Sequence, residues 1–296
     1  MNYYMFPGTG IFGGIKVGFQ FCDMLAELGL PILAVTPDGQ APLWFPSTVA
    51  VIARSDFEAA VSADDSVFFS LPADHDWLAP LPARRIFHCQ GTDPLIEPVI
   101  ADPALALLAC WPQAERFMRE KTGRPVSNVG ISVSDCFFYD GEPKGDTVVA
   151  YMPRRGRDIA QDCRRRMRRH RFEEISGLNE SDCAYAMKRA GWYLATAPGE
   201  FFGLPALEAM AAGCLVASVP VIGGMDYLEP GFNCLLAPPD DLPAAASAVT
   251  GKAQAARRAA LRQQGLATAY RYRRSRHLRL LKRQIAGPLE ELVSWK

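Results

Sequence analysis

Two carboxylates, Glu200 and Glu208, stand eight residues apart in the stretch Ala197-Pro198-Gly199-Glu200-Phe201-Phe202-Gly203-Leu204-Pro205-Ala206-Leu207-Glu208. The first falls in a Pro-Gly loop that ends an apolar run at 193–195. The second falls inside a helix that Gly203 opens, with Pro205 in the first turn, where proline is favoured. The N-terminal amides of such a helix, here those of Phe202, Gly203 and Leu204, point at an anion in front of it. Carboxylates accept hydrogen bonds from adjacent hydroxyls, while such amides and nearby arginines take phosphate oxygens. The combination points to a ligand that is both polyhydroxylated and phosphorylated.

Other spacings are less specific. Gly8-Thr9-Gly10-Ile11-Phe12-Gly13 is a GxGxxG between a strand and a helix, followed by Gly14 and Lys16. A dinucleotide site would also need an acid at the end of the second strand. Asp38 is at the right remove but lies in a Pro37-Asp38-Gly39 turn. The alternative is a tight turn with no ligand. Asp74-His75-Asp76 offers hard oxygens of the kind that hold Mg²⁺ or Mn²⁺, though a solvated turn is the favoured reading. The eight cysteines include no CxxC pair and no zinc-finger spacing, so they read as reduced, buried thiols.

The elements that must position these residues alternate as β and α from end to end. Apolar runs at 3–6, 31–35, 49–53, 66–71, 85–89 and 105–110 are separated by polar or helical segments, the first helix covering 15–28 and ending at Gly29. The DGEPKGD cluster at 140–146 reads as a linker. A second series follows, with strands at 147–152, 171–175, 192–195, 215–219 and 233–236 and a helix at 180–189 capped by Asn179. Such alternation gives parallel sheets covered by helices on both faces. The predicted domains are 1–140, 141–274 and a C-terminal helical segment at 275–296.

Lys and Arg number 32 and Asp and Glu number 32, a balance of zero that argues against a general nucleic-acid binder. The halves differ: residues 1–120 carry 6 basic and 14 acidic side chains, residues 121–296 carry 26 and 18. That asymmetry predicts two domains with different partners. Nine arginines fall between 154 and 171 and nine more between 257 and 283, which is the basis for expecting peripheral contact with anionic membrane. Met1 to Gly14 has no signal-peptide pattern, and no apolar stretch is long enough to span a bilayer. The expected location is cytoplasmic, at most peripheral at the inner membrane face.

The segment around Glu200 resembles the E-x7-E signature of the retaining glycosyltransferases of GT-B fold, in the large family 4 group (glycosyl transferases group 1). The likeness extends to the FGLP between the acids, the EAMAAG after the helix start, Ile222-Gly223-Gly224, Glu229-Pro230-Gly231-Phe232-Asn233, and Ala237-Pro238-Pro239-Asp240. It is specific over roughly 170–245. Upstream, Gly177-Leu178-Asn179 is similar to a helix entry of that family, and Gly13-Gly14 fits its N-terminal glycine loop.

The resemblance implies an α/β protein of two Rossmann-like domains facing across a cleft, with the C-terminal helix returning to the N-terminal domain. It implies a nucleotide-sugar donor, a saccharide or lipid-linked acceptor, retention of anomeric configuration, and no metal or other cofactor. Glu200 would contact the donor sugar and Glu208 the ribose, with the amides of Phe202, Gly203 and Leu204 on sugar and phosphate. Arg154 and Arg155, with Arg157 as a third, would hold the diphosphate where the family usually has an Arg and a Lys. His88, at the end of an N-domain strand, would reach the donor sugar. Gly13 and Gly14 would line the donor from the first domain. Two other readings remain open: an inactive nucleotide- or glycan-binding protein on the same fold, and an NAD-linked oxidoreductase using the GxGxxG. A family-typical chain is longer, so a pared-down acceptor domain is expected.

Overall fold

The computed structural model describes residues 1–293. The chain forms two compact units: residues 1–131 with 275–296, and residues 132–274. Each is a parallel sheet flanked by helices.

In the first unit, β1 (Asn2–Met5) leads through a glycine loop to α1 (Gly13–Glu27) and β2 (Ile32–Thr36). β3 (Val51–Ala53), α2 (Arg54–Ala60), β4 (Ser66–Phe69), α3 (His75–Leu78) and β5 (Arg84–Cys89) follow. α4 (Glu97–Ala101), β6 (Ala106–Ala109), α5 (Pro112–Thr122) and β7 (Ser127–Asn128) complete it. The strand order is β3-β2-β1-β4-β5-β6-β7, with every pairing parallel. β1 and β4 are buried along their whole length, which is why they read as unbroken apolar runs rather than alternating ones. α1 stops where the sequence says it should: Gly29 adopts φ +87°, a left-handed position suited to glycine just past a helix end.

The second unit opens with β8 (Gly145–Tyr151), α6 (Arg157–Arg166) and β9 (Arg171–Glu174). It continues through α7 (Glu180–Arg189), β10 (Ala190–Ala195), α8 (Leu204–Ala211) and β11 (Leu215–Ser218). β12 (Leu235–Leu236), α9 (Leu242–Ala248) and α10 (Ala255–Tyr270) close it. Its strand order is β12-β11-β10-β8-β9, again all parallel. The Asn179 side chain accepts the amide of Asp182 at 2.9 Å, the N-cap expected from sequence.

The last helix, α11 (Arg274–Ile285), lies with the first unit. Leu281 and Ile285, and Leu289 beyond the helix, join the core built by Phe19, Phe21, Met24 and Phe68. The chain therefore returns to its first unit, and the divide falls at 131/132, ahead of the 140–146 segment. That segment is tied to the second unit, where the Lys144 ammonium donates to the carbonyls of Lys188 at 2.7 Å and Ala190 at 2.9 Å.

Leu281 is fully buried. Truncating such a side chain removes its transfer energy and leaves a cavity, at a cost of about 2–5 kcal/mol. Leu281→Ala should lower the thermal midpoint markedly, while Lys282→Ala, exposed on the next position, should leave it nearly unchanged in the same scan.

Candidate active site

In an open parallel sheet, ligands bind at the carboxyl ends of the strands where the strand order reverses. In the second unit that point lies between β8 and β10, because the chain places β9 on one side of β8 and returns to the other. Leu194 is paired with Tyr151, so the loops leaving the two strands emerge side by side. These are the loops that carry Arg154, Arg155 and Glu200.

The first loop ends at Gly156, whose φ of +74° and whose position against its neighbour both demand glycine. A Cβ there would overlap the carbonyl of Thr196, on the second loop. The Thr196 hydroxyl in turn donates to the carbonyl of Arg155 at 3.3 Å. The backbones are thus locked together, and one ion pair crosses between the side chains: Arg155 Nη2 lies 3.2 Å from Glu200 Oε1. Arg154 is exposed beside it. Arg157 is turned elsewhere, its guanidinium forking onto both oxygens of Glu174 on β9 at 3.0 Å each. The three arginines do not form one cluster.

The second loop is held from behind. The Glu200 carbonyl accepts the amide of Ile222 at 2.8 Å, and the Phe201 carbonyl accepts that of Gly223. The Tyr227 hydroxyl donates to the carbonyl of Gly203 at 2.6 Å. Gly199 and Gly203 both hold left-handed φ, +77° and +76°. Phe202 is buried against Tyr227 and Tyr272, with ring centroids 5.1 and 6.0 Å away. Leu204 begins α8, so the amides of its first turn face the carboxyl end of β10. Glu208, one turn in, is buried, whereas Glu200 is half-exposed. Burial above all raises the phenols of Tyr193 and Tyr227 well above the ordinary tyrosine range, and the charges of Glu200 and Glu208 add to it.

The Glu229–Asn233 turn was legible as a motif but not as a device. Asn233 is buried and satisfies three groups at once. It accepts the amide of Glu229 at 2.9 Å and donates to the Tyr227 carbonyl at 2.8 Å and to Thr268 Oγ1 at 3.0 Å. It fixes the segment that bears Tyr227, and Tyr227 fixes Gly203.

In the first unit the expectation for His88 fails. The residue is fully buried within β5. Its Nδ1 lies 2.9 Å from the Tyr4 hydroxyl and its Nε2 3.0 Å from the Cys110 sulfur. A neutral ring serves both contacts, one nitrogen accepting and the other donating. His88 is a satisfied core residue and presents no nitrogen to a sugar. The side chain that does reach the strand end is Gln90, two residues on and therefore on the same face of the strand. Its amide donates to the Tyr4 hydroxyl at 3.0 Å. Gly13 and Gly14 open α1 and are exposed. A Cβ on Gly14 would come within 2.7 Å of Gln90 Oε1, so the glycine loop and Gln90 share one corner of the unit.

The Asp74-His75-Asp76 triplet is folded into a short helical turn instead of a loop. Asp74 accepts the indole of Trp77 at 3.1 Å, and His75 bridges Asp76 and Asp102 at 3.1 and 3.0 Å. Among the described residues no group of three His, Cys, Asp or Glu is placed to hold a metal ion. Asp38 accepts the amide of Gln40 at 3.2 Å and so serves its own turn.

Residues 155–252, all in the second unit, match the family model for glycosyl transferases group 1. No curated protein sequence matches. Among solved structures, the chain is similar to Anabaena Alr3699/HepE in complex with UDP-glucose, with a TM-score of 0.71 at 13% identity, covering 98% of this chain and 99% of that one. It is similar to the sucrose-phosphate synthase of Thermosynechococcus elongatus, with a TM-score of 0.68 at 14% identity and 98% of both chains. A glycosyltransferase from Rickettsia africae ESF-5 gives 0.66 at 12% identity and 98% of both. At such identities the likeness is one of fold, and the fold is GT-B.

Burial lowers the His88 pKa from 6.5 to about 3, with the charge of His277 adding to it. The unfolded chain takes up a proton near 6.5 that the folded chain refuses. The contribution of His88 is therefore fully present above that pH and is lost as pH falls toward 3, at about 1.4 kcal/mol per pH unit. Denaturant unfolding from neutral to mildly acidic pH should show this slope, and His88→Asn should flatten it by about one proton. An unchanged slope in that variant would place the titration elsewhere.

Proposed function

We propose that this protein is a glycosyltransferase that moves a sugar from a nucleoside-diphosphate donor to a hydroxyl acceptor with retention of configuration. The observation that carries the proposal is the Arg155–Glu200 contact at the sheet's reversal point. It brings a guanidinium and a carboxylate onto adjoining loops, the two kinds of group that a sugar diphosphate needs. Glu200 serves the donor sugar, Glu208 the ribose, and Arg154 with Arg155 the diphosphate, assisted by the amides of Phe202, Gly203 and Leu204. Arg157 is a supporting residue that ties α6 to β9 through Glu174.

Uridine diphosphate sugars are the donors of first choice, since the Anabaena structure of this fold holds UDP-glucose. Negative charge builds on the leaving diphosphate in the transition state. Preorganised guanidinium groups and helix-terminal amides stabilise it there, which is the largest single source of catalysis in such sites. A resident metal is not required in this scheme, because the arginines supply the positive charge. No carboxylate is assigned as nucleophile. The departing phosphate oxygen accepts the proton of the attacking hydroxyl on the same face, and that geometry retains configuration. The acceptor, a saccharide or a lipid-linked sugar, is assigned to the first unit, beside Gly14 and Gln90.

The absence of a lysine from Tyr151 to Arg157 favours one competing reading, a protein that binds the nucleotide without turnover. A panel of UDP-, GDP-, ADP- and dTDP-sugars with product detection separates the two. Glu200→Ala and Arg154→Ala should each lower transfer or donor hydrolysis by about 10²–10³ with unchanged circular dichroism. Glu200→Gln should also tighten UDP binding, because it frees Arg155 from its carboxylate partner. Binding of UDP with no turnover of any donor would favour the competing reading, and full activity in both alanine variants would remove the site assignment.

A further inference from the structure

Residues 242–289 contain no Asp or Glu and eleven Lys or Arg. Several of these are explained locally. Arg262 pairs with Asp146 at 2.9 Å and Arg271 with Glu229 at 3.6 Å. Arg258 caps the carbonyls of Val249 and Gly251, both at 2.7 Å. Arg273 lies over the rings of Phe138 and Tyr270. On α11 the account runs out. Arg276, Arg279, Lys282 and Arg283 are exposed, and among the described residues none of the four pairs with a carboxylate.

At 3.6 residues per turn the four fall within an arc of about 120°. His277, Leu281 and Ile285 occupy the opposite side, buried in the first unit. Intrinsic helix stability argues against this arrangement. Arg276–Arg279 and Arg279–Lys282 are like charges three apart, and Arg279–Arg283 are four apart, spacings at which like charges repel. Arg274 and Arg276 also stand in the first turn, the end of the helix that disfavours cations. A basic last turn, as at Arg164, Arg165 and Arg166 of α6, is favoured by the helix dipole and needs no partner. Lys282 and Arg283 have the same support in the last turn of α11, but Arg276 and Arg279 do not, and all four share one exposed arc.

We propose that this face of α11 docks on the surface of an anionic phospholipid bilayer. Charge complementarity selects an anionic partner, and the surroundings select a flat one. The first unit carries 13 basic and 16 acidic side chains, α11 included. A nucleic acid that wrapped the unit would meet net repulsion, whereas a planar surface meets only the stripe. The stripe shares no residue with the donor loops of the second unit, so it stands or falls apart from the transferase reading.

The test uses the full chain and co-sedimentation with mixed phosphatidylcholine–phosphatidylglycerol vesicles, with pure phosphatidylcholine vesicles alongside. Binding is expected to the mixed vesicles alone and to be lost at high salt. Each basic side chain near such a surface multiplies binding roughly five-fold. The R276E/R279E/K282E/R283E variant should therefore bind at least about a hundred-fold more weakly. R279Q and R283Q should each weaken binding by a few-fold, which keeps the test decisive if the quadruple variant misfolds. R164Q/R166Q/R168Q/R169Q should bind as the parent does. The proposal is overturned by absence of binding to mixed vesicles, by unchanged binding in the α11 variants, by loss in the α6 variant instead, or by displacement from vesicles with equimolar double-stranded DNA.

Discussion

The contact between Gly156 and the carbonyl of Thr196 is the constraint on which the rest of the candidate site depends. β8 and β10 are neighbours in the sheet but are separated in sequence by a whole βα excursion to β9. Their two exit loops can share a ligand only if their backbones converge, and convergence at that distance leaves no space for a Cβ. Glycine supplies the space and also tolerates the left-handed φ that turns the chain into α6. Once the loops meet, the residue before the glycine, Arg155, is bound to face whatever leads the other loop, which is Glu200. The ion pair is a consequence of backbone packing rather than its cause, since both side chains are partly solvated and an exposed pair contributes little stability.

The support behind the second loop follows the same logic in reverse. A loop with glycines at 199 and 203 has many conformations open to it before folding, and something must select one. Tyr227 does so through Gly203, the amides of residues 222 and 223 do so through residues 200 and 201, and Asn233 does so for Tyr227. Tyr227 and Asn233 are both buried, so Gly203 is held from the interior. The result is a rigid back and a partly open front: Glu208 inside, Glu200 at the mouth, the helix-terminal amides between them.

Most of this organisation was legible in the sequence where the physics is local. The E-x7-E spacing, Pro205, the Asn179 cap and the Gly29 stop all follow from backbone preferences that act within a few residues, and each was placed correctly. Readings that depended on distant contacts fared differently. The family resemblance makes His88 a strand-end ligand, a reading that its position before Gln90-Gly91 supports. Its actual partners, Tyr4 and Cys110, come from two other strands. The alternation of faces along a strand pointed to Gln90 from the same letters. Arg157 stands in the sequence as a third diphosphate candidate by family resemblance, and in the structure it begins α6 and pairs with Glu174. Gly156 stood in the sequence without a reason, because the reason is forty residues away at Thr196.

The same contrast between local and distant governs the charge. Counted along the chain, the halves differ sharply and invite the idea of an acidic acceptor side and a basic donor side. Counted by packing, the first unit holds 13 basic and 16 acidic side chains and the second 19 and 16. The difference shrinks because α11 carries its cations back onto the acidic unit. A net charge near zero in each unit means that an anion at the β8 and β10 loops would meet a few placed guanidinium groups instead of a broad positive field. What remains of the excess positive charge is then a matter of faces, concentrated on one side of α11 and at the end of α6. The α6 arginines complete a helix dipole. Lys282 and Arg283 do the same at the end of α11, but Arg276 and Arg279 stand without such support, and this is the reason to seek counterions for that face outside the chain.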